Sequence, residues 1–548
     1  MTELLTAEQM RNLEQQAIAD GVASGLDLME RAGQGVVDAM MSKWPEWADK
    51  PRRALVLCGP GNNGGDGFVI ARLLAARGWD CDLYLFGTAD RLPADARTNH
   101  DRWCGQGAVN AWSPADITAG PAPDVIIDAV FGIGLTRALP DDVAAVLGHN
   151  ARDAWAKARR IAVDCPSGLN LDTGEIPSAP DREQADSCVS PADLTVTFHT
   201  PRPGHYLAMG PAICRDLVVA DIGLRGDGMA RTIIGQPPDA ERLRLTDQRH
   251  FGADGLTALR PSFWPGSFIP KNRGGDHKYD FGHVIVFAGG VGRGGAGRLA
   301  ARAALRAGAG LVTLVCPKAA LQENAMRLDA VMLRSLDDPA MLGDVADDRV
   351  SGFCLGPGMG VGARTRDTVL AVLERQAGER DRRRPCVVLD ADALTSFADD
   401  PDTLFQAVHA RTILTPHEGE FARLFPDLAM AARQGLSKAD AARVAAARAG
   451  CVVLLKGADT VIAAPEGGAC LHAAFYERAV PWLATAGAGD VLAGLIAGLA
   501  SAPVAPDLIV AAEVATWLHT EAARAFGPGL IAEDLPEALP GVLQKVLG

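Results

Sequence analysis

The sequence is short of positive charge, of aromatic residues and of long apolar runs. Its 53 Lys and Arg are outnumbered by 67 Asp and Glu, for a net charge of −14, so it carries no electrostatic footprint for nucleic acid or for an anionic membrane. The basic run Arg380-Asp-Arg-Arg-Arg384 is local and reads as a solvated loop. No apolar stretch reaches the roughly 18 residues that span a bilayer. The longest candidate, Val491 to Ala500, reads as a buried helix. The 11 cysteines include no C-x-x-C pair, which argues against a disulfide or zinc framework and for reduced core residues in a cytoplasmic protein. A signal peptide is not expected either, because Thr6-Ala-Glu-Gln9 has the form of a capping box ahead of Met10, Leu13 and Ala17 on one helical face. Aromatics amount to only 5%, against 60 glycines. That balance suits α/β architecture, with Ala-rich helices, short aliphatic strands and glycine turns.

What is present is alternation of strand and helix, twice over. Strands are expected at Ala54–Cys58, Cys81–Phe86, Val125–Val130, Ile161–Asp164, Leu194–Phe198 and Leu217–Asp221, the text of a largely parallel, Rossmann-like sheet. From Arg225 to Pro261 the pattern dissolves into Gly, Pro, Asp and Arg. A second series runs through His283–Ala288, Leu311–Val315, Gly352–Leu355, Cys386–Asp390, Thr412–Thr415, Cys451–Leu455 and Val461–Ala464, with the last long helix after Gly489. The expectation is two unlike α/β domains, 1–225 and 251–548, joined by a linker at 226–250.

In the first half, Gly59, Gly61 and Gly64 satisfy G-x-G-x-x-G directly after a strand, the outline of a dinucleotide-binding loop. An NAD-dependent dehydrogenase would also need an acid at the end of the next strand. Here Asp80 and Asp82 stand at its beginning. The glycines hold Asn62, Asn63 and Asp66, which could cap the following helix, meet an anion or coordinate a cation. Two further strand ends are polar: Asp128-Ala-Val-Phe-Gly-Ile-Gly-Leu-Thr136, and Asp164-Cys-Pro-Ser167-Gly-Leu169. Three polar clusters at the C-terminal ends of parallel strands point to one pocket rather than three separate caps.

The segments NNGGDG, DAVFGIGL and DCPSGL together resemble the YjeF N-terminal domain, the NAD(P)HX epimerase, whose substrate is the hydrate of NADH or NADPH. The resemblance implies that Asn62, Asn63, Gly64, Gly65 and Asp66, with Gly132, Ile133, Gly134, Leu135, Thr136, Arg137 and Ala138, contact the hydrate. It implies that Asn63, Asp128 and Ser167 hold K⁺ through oxygen, and that Asp164 is the acid–base group. An acid there suits the chemistry, since inverting the hydroxyl-bearing carbon requires proton movement at the ring.

Near the C-terminus, Ala484-Thr-Ala-Gly-Ala-Gly489-Asp490 opens a helix. Backbone N–H groups at such a turn cradle phosphate oxygens, and Asp490 is placed to take a proton from an attacking hydroxyl; the plainer reading is an acid favoured by the helix dipole. The motif resembles the ribokinase-like superfamily, with Lys456-Gly457-Ala458-Asp459-Thr460 as a second phosphate-holding turn. Adding Gly292–Gly297, Ala303–Leu311, Gly356–Gly360 and Thr415-Pro-His417-Glu-Gly-Glu420, the second half resembles the YjeF C-terminal domain, the ADP- or ATP-dependent NAD(P)HX dehydratase. The resemblance implies that Ala296, Gly360, His417 and Asp490 meet the hydrate, that Lys456 to Thr460 and Gly489 hold the nucleotide, and that Asp490 is the base. Mg²⁺ would accompany the phosphates; Asp390-Ala-Asp392 is a candidate for it. One departure is Ala488, where many relatives of the family carry Thr or Ser.

Both halves point to the same substrate, so the expected activities are epimerisation of R- and S-NAD(P)H hydrate and nucleotide-driven dehydration of the S form. Partners are expected to be small molecules and further copies of the chain, with no nucleic acid or membrane. A sugar or vitamin-precursor kinase would explain the second half alone, and a nucleotide-binding scaffold would not need Asp128 and Asp164.

Overall fold

The computed structural model describes residues 2–148, 155–177, 189–224, 243–252, 255–261, 271, 277–375, 384–502 and 507–547. The chain forms two compact units, Glu3–Pro238 and Asp239–Gly548 with Met1–Thr2.

After the short strand β1 (Thr2–Glu3), helix Ala7–Ala19 starts where Thr6 and Gln9 cap one another, and it buries Ala7, Met10, Leu13 and Ala17. Helix Gly25–Lys43 begins on the same reciprocal device, built from Ser24 and Asp27. The first unit then builds a seven-stranded sheet from β2 (Arg53–Cys58), β3 (Asp80–Leu85), β4 (Asn110–Ala111), β5 (Val125–Ala129), β6 (Arg159–Val163), β7 (Leu194–Phe198) and β8 (Leu217–Ala220). The order is β4-β3-β2-β5-β6-β7-β8 and every neighbouring pair is parallel. Strands covered on both faces read as unbroken apolar runs. Along β2, Ala54, Val56 and Cys58 pack into one cluster while Leu55 and Leu57 pack into another on the opposite face. Strand order reverses at β2, which lies between β3 and β5. The loops leaving β2 and β5 therefore diverge at the switch point where α/β sheets bind ligands.

The second unit contains β9 (Leu243–Leu245), β10 (Asp247–Gly252), β11 (Gly255–Pro261), β12 (His283–Phe287), β13 (Leu311–Cys316), β14 (Met332–Ser335), β15 (Val350–Leu355), β16 (Cys386–Leu389), β17 (Thr412–Leu414), β18 (Val452–Leu455), β19 (Asp459–Ala463) and β20 (Ala469–Ala473). Its large sheet runs β9-β20-β19-β18-β17-β16-β15-β12-β13-β14. It is parallel from β18 to β14 and antiparallel across β18-β19-β20. Strands β10 and β11 form a separate antiparallel ribbon.

Two expectations are corrected here. Residues 243–261 are not patternless, since they hold β9 and the ribbon. The signal was lost because β9 is three residues long and finds its partner more than 200 residues later, in β20. Residues 225–242, most of the expected linker, and Arg380-Asp-Arg-Arg383 of the basic run lie outside the described residues. The helix after Gly489 is also not the last long one: Leu508–Phe526 and Asp534–Leu547 follow it. Pro536 and Pro540 disguise the final helix, because proline reads as a breaker although Pro540 lies inside it. Among the described residues every cysteine is free, and no helix is long and apolar enough to cross a membrane.

Helix Ala488–Ala500, the segment read as buried, has Val491 through Ala500 enclosed and packs against helix Gly295–Arg306. Each enclosed Leu, Ile or Val there contributes about 1.5–3 kcal/mol. The approach is close enough that a Cβ on Gly494 would lie 2.1 Å from the Ala300 carbonyl oxygen. Backbone cannot yield as a side-chain tip does. Gly494→Val is expected to destabilise the second unit by about 2 kcal/mol or more and leave the first unit unchanged, as resolved by urea unfolding followed by limited proteolysis.

Candidate active sites

The first site is assembled from three strand ends of the seven-stranded sheet. The glycine loop turns directly into helix Asn62–Ala75, whose cap is Gly61 with no side-chain hydrogen bond. Asn62, Asn63 and Asp66 thus lie inside the first turns and do not act as caps. Close packing explains the loop composition: a Cβ on Gly59 would lie 1.8 Å from the Val130 carbonyl oxygen, and one on Gly64 2.0 Å from that of Gly59.

After β5, both Asp128 oxygens are taken by Ser167: Oδ1 accepts from its hydroxyl at 2.6 Å and Oδ2 from its N–H at 2.8 Å. Ser167 Oγ in turn accepts from the Phe131 N–H at 2.8 Å. Asp128 and Ser167 therefore bind the loops after β5 and β6 together. Burial pushes the Asp128 carboxyl above its ordinary range, against the hydrogen bonds from Ser167.

Asp164 has φ 67°, in the left-handed region that a non-glycine residue seldom occupies. Four hydrogen bonds hold it there. Its N–H donates to the Val196 carbonyl at 2.8 Å, and its own carbonyl accepts from His205 Nε2 at 2.9 Å. Its Oδ1 accepts from Thr197 Oγ1 at 2.8 Å and its Oδ2 from the Ile133 N–H at 3.2 Å. Such over-determination is what maintains a strained residue at a functional position. The carboxylate is thereby aimed at Gly132, where an added Cβ would lie 3.0 Å from Asp164 Oδ2 and 3.1 Å from Asn63 Oδ1. Asn63 Nδ2 is buried without a partner, a donor left for a ligand acceptor.

Asn63, Asp128, Asp164 and Ser167 thus gather about the Gly132 loop. Gly134 and Thr136 to Ala138 are exposed on that loop, whereas Leu135 points into the core. Asp80 and Asp82 instead pair with Arg53, at the other end of the sheet from the loop. Sequence reasoning missed the buried polar groups behind Asp164. Burial pushes Glu14 up to about 7, Arg202 opposing and Asp164 adding to the shift. Burial also raises Asp66 well above the carboxylate range, with Glu14 and Asp164 adding to it. Fully buried His205 is driven down to about 4 by desolvation.

The second site lies at the start of helix Ala488–Ala500. Gly487, at φ 92°, turns the chain into the helix, and the first N–H groups, those of Gly489 and Asp490, have no intrahelical acceptor. Lys456, at the end of β18, comes so near this turn that a Cβ on Gly489 would lie 3.5 Å from its Nζ. Asp390 Oδ1 holds that ammonium at 2.5 Å, with Glu420 Oε2 at 3.8 Å. Burial works against the Lys456 charge, but Asp390, Glu420 and Asp490 together hold its pKa above the ordinary lysine value. Asp490 goes the other way for carboxylates: burial raises it to about 7, Asp390 adding and Lys456 subtracting. A carboxyl titrating near neutrality is suited to take and return protons.

A cavity of about 840 Å³ opens beside these groups, lined by Lys456, Gly457, Ala458, Thr460, His417 and Gly489 among others. Asp459 is turned away into an ion pair with Lys438 at 2.5 Å. His417 caps helix Glu418–Leu424 through Nδ1, which accepts from the Gly419 and Glu420 N–H groups, and it remains more than half exposed. Gly360 donates its N–H to Asp392 Oδ2 at 2.8 Å, and Ala296 lies 3.5 Å from where a Cβ on Gly358 would be. Neither Gly360 nor Ala296 lines the cavity. Asp390 and Asp392 both have protein partners, Asp390 also accepting from Thr415 Oγ1 at 2.9 Å. Among the described residues no group of three or more His, Cys, Asp or Glu gathers to hold a metal.

With both sites placed, comparison with known proteins is decisive. The family described as YjeF-related protein N-terminus matches residues 25–204, and that described as NAD(P)H-hydrate dehydratase matches 284–540. The bifunctional NAD(P)H-hydrate repair enzyme Nnr of Moorella thermoacetica is 35% identical over 99% of this chain and 97% of its own. This chain belongs to the family of bifunctional NAD(P)H-hydrate repair enzymes. The Escherichia coli member is 32% identical over 98% of this chain and 93% of its own. The NAD(P)H-hydrate epimerase of Rhodobacter capsulatus, 45% identical, spans 41% of this chain and all of its own. Among solved structures, the ADP/ATP-dependent NAD(P)H-hydrate dehydratase from Bacillus subtilis is 26% identical over 51% of this chain and 95% of its own, with a TM-score of 0.42. The repair-enzyme family thus joins, in one chain, an epimerase half and a dehydratase half.

The raised Asp490 carboxyl has a consequence for stability. The folded state keeps a proton that the unfolded chain releases from about pH 4, so Asp490 lowers stability progressively as pH rises from there to about 7, with no further loss above. Asp490→Asn is expected to be about 1–2 kcal/mol more stable than the parent at pH 8, a difference that shrinks toward pH 4. Guanidinium unfolding of the two proteins at several pH values measures it.

Proposed function

We propose that this chain interconverts the R and S hydrates of NADH or NADPH at Asp164, and dehydrates the S form at Asp490 with ADP or ATP as phosphoryl donor, giving AMP or ADP and phosphate. The observation that carries the reading is Asp490: a carboxyl at about 7, on the first turn of an anion-attracting helix, beside the tethered Lys456 ammonium.

In the dehydratase domain, which we place at residues 251–548, the N–H groups of Gly489 and Asp490 and the Lys456 ammonium would receive the nucleotide phosphates. Asp490 would take the proton from the ring hydroxyl as its oxygen attacks the terminal phosphorus, breaking the bond to the nucleotide. Elimination of phosphate, with loss of a proton from the adjacent ring carbon, then restores the dihydronicotinamide, because phosphate leaves far more readily than hydroxide. Magnesium bound with the nucleotide would offset phosphate charge. Asp390 is occupied in fixing Lys456, which argues against it as a dedicated magnesium ligand. Ala488 offers no hydroxyl to the phosphate, leaving the backbone donors and Lys456 to hold it.

In the epimerase domain, which we place at residues 1–225, Asp164 Oδ2 and Asn63 face the Gly132 loop, where the altered ring would lie against Asn62 to Asp66. Asn63 Oδ1, Asp128 and Ser167 are all oxygen donors and carry one formal negative charge, a set that fits K⁺. Potassium bound there would supply a fixed positive charge near the ring. The fixed direction of the Asp164 carboxylate is what would deliver a proton to one atom of the ring. Buried free cysteines support a reducing, cytoplasmic setting.

Absorbance near 340 nm tests both assignments on a racemic hydrate. The parent enzyme with ADP or ATP is expected to recover essentially all of it. Asp164→Asn is expected to halt near half, and Asp490→Asn to recover none while still scrambling a single epimer. Loss of both activities from either substitution would refute the separate-site reading.

A further inference from the structure

A lysine opens helix Lys438–Ala449, at the end where the helix dipole disfavours a cation. The helix does not need it to begin, because Ser437 caps that end by accepting from the Asp440 N–H. The acid of the first turn, Asp440, is engaged with Ser437 and Arg443 and not with the lysine. Nor does the Lys438 side chain reach into solvent, as a lysine on an outer helix normally does; it is only 13% exposed. A residue that breaks two local preferences at once is compensated elsewhere in the fold.

The compensation lies in the turn Lys456–Ala458, between β18 and β19. Lys438 Nζ donates to the Lys456 carbonyl at 3.3 Å and to Asp459 Oδ1 at 2.5 Å, with Glu418 Oε1 at 3.8 Å. The first two acceptors stand at the two ends of the turn, so a single ammonium joins them. It lies against Gly457, where an added Cβ would be 2.5 Å from Nζ and 2.6 Å from Asp459 Oδ1. Thr460 closes the same turn: its Oγ1 accepts from the Gly457 N–H at 3.1 Å and donates to the Gly457 carbonyl at 2.7 Å. Lys456, Gly457, Ala458 and Thr460 line the large cavity, whereas Lys438 and Asp459 do not. The pair therefore acts on the cavity through the shape of the turn.

We propose that Lys438 is a positioning residue for the nucleotide: by joining the Lys456 carbonyl to Asp459, it keeps the turn in the shape that receives the phosphoryl donor, without touching that molecule. This rests on the nucleotide lying against Lys456 to Thr460, as in the reading above. Because both ends of the turn are held by one atom, the turn keeps its shape even where it moves as a whole. The same ammonium offsets the Asp459 carboxylate, a charge next to the turn that would repel phosphates.

The test is steady-state dehydration of S-hydrate by the full-length enzyme, with hydrate and ADP or ATP varied in turn. Lys438→Met is expected to raise KM for the nucleotide about tenfold, with kcat and KM for the hydrate near those of the parent. Lys438→Arg, which keeps the charge and can donate to both acceptors, should recover most of that loss. Epimerisation should be unchanged in both. A lysine needed only for stability would lower kcat through loss of active enzyme and leave KM alone; that outcome overturns the proposal, and so does an equal rise in KM for both substrates. If Lys438→Met does not fold, Lys438→Gln replaces it, with the same expected and overturning results. Lys456→Met separates this proposal from the reading beneath it. An unchanged nucleotide KM in Lys456→Met would overturn the placement of the nucleotide, whereas a raised KM there with none at Lys438 would overturn the role of Lys438 alone.

Discussion

Parallel pairing is the constraint on which both units depend. When neighbouring strands run the same way, each connection must cross back over a face of the sheet, and all the C-terminal strand ends fall on one edge. In the first unit that edge carries Gly59–Asn63, Asp128 and Asp164 from β2, β5 and β6. In the second it carries Asp390, Thr415 and Lys456 from β16, β17 and β18. Residues separated by a hundred positions in sequence become neighbours without any loop having to travel far.

The two central carboxylates are treated in opposite ways. Asp164 is surrounded by donors and held in a backbone conformation it would not adopt alone, so its direction is determined by four hydrogen bonds. Asp490 has a glycine turn behind it and like charges nearby, and what is set is its affinity for a proton. Lys456 tempers that effect. Its ammonium stands between Asp390, Glu420 and Asp490, a cluster in which removing that one positive charge leaves three carboxyl groups without compensation.

Much of this was legible in the sequence. Aliphatic runs such as Ala54–Cys58 and Leu194–Phe198 marked strands because both faces of a parallel sheet are covered, and the structure places them within a residue or two. Asp128, Asp164 and Lys456 could be found because acids and a lysine at strand ends stand out against apolar text. What escaped notice had a physical reason in each case. Strand β20 is made by pairing with β19 and β9 rather than by its own composition. The tethering of Lys456 by Asp390 spans 66 positions, so in the sequence Asp390 read as a candidate for magnesium instead. His417 stood out only by its neighbours, and the structure shows its ring engaged in capping its own helix.

The contact between helices Ala488–Ala500 and Gly295–Arg306 bears on how the second cavity can adapt. With Gly494 and Gly498 pressed against the backbone at Ala300 and Ala304, the helix that begins at the Gly487 turn has little room to slide or roll. That side of the cavity is a fixed jaw. The opposite side is built from short segments, Lys456–Ala458 between β18 and β19 and Phe475–Ala484 between β20 and the helix, with few helical bonds to break. A change of volume that accompanies entry or exit of a small molecule is therefore expected to fall on those segments and to carry Lys456 with it relative to Asp490.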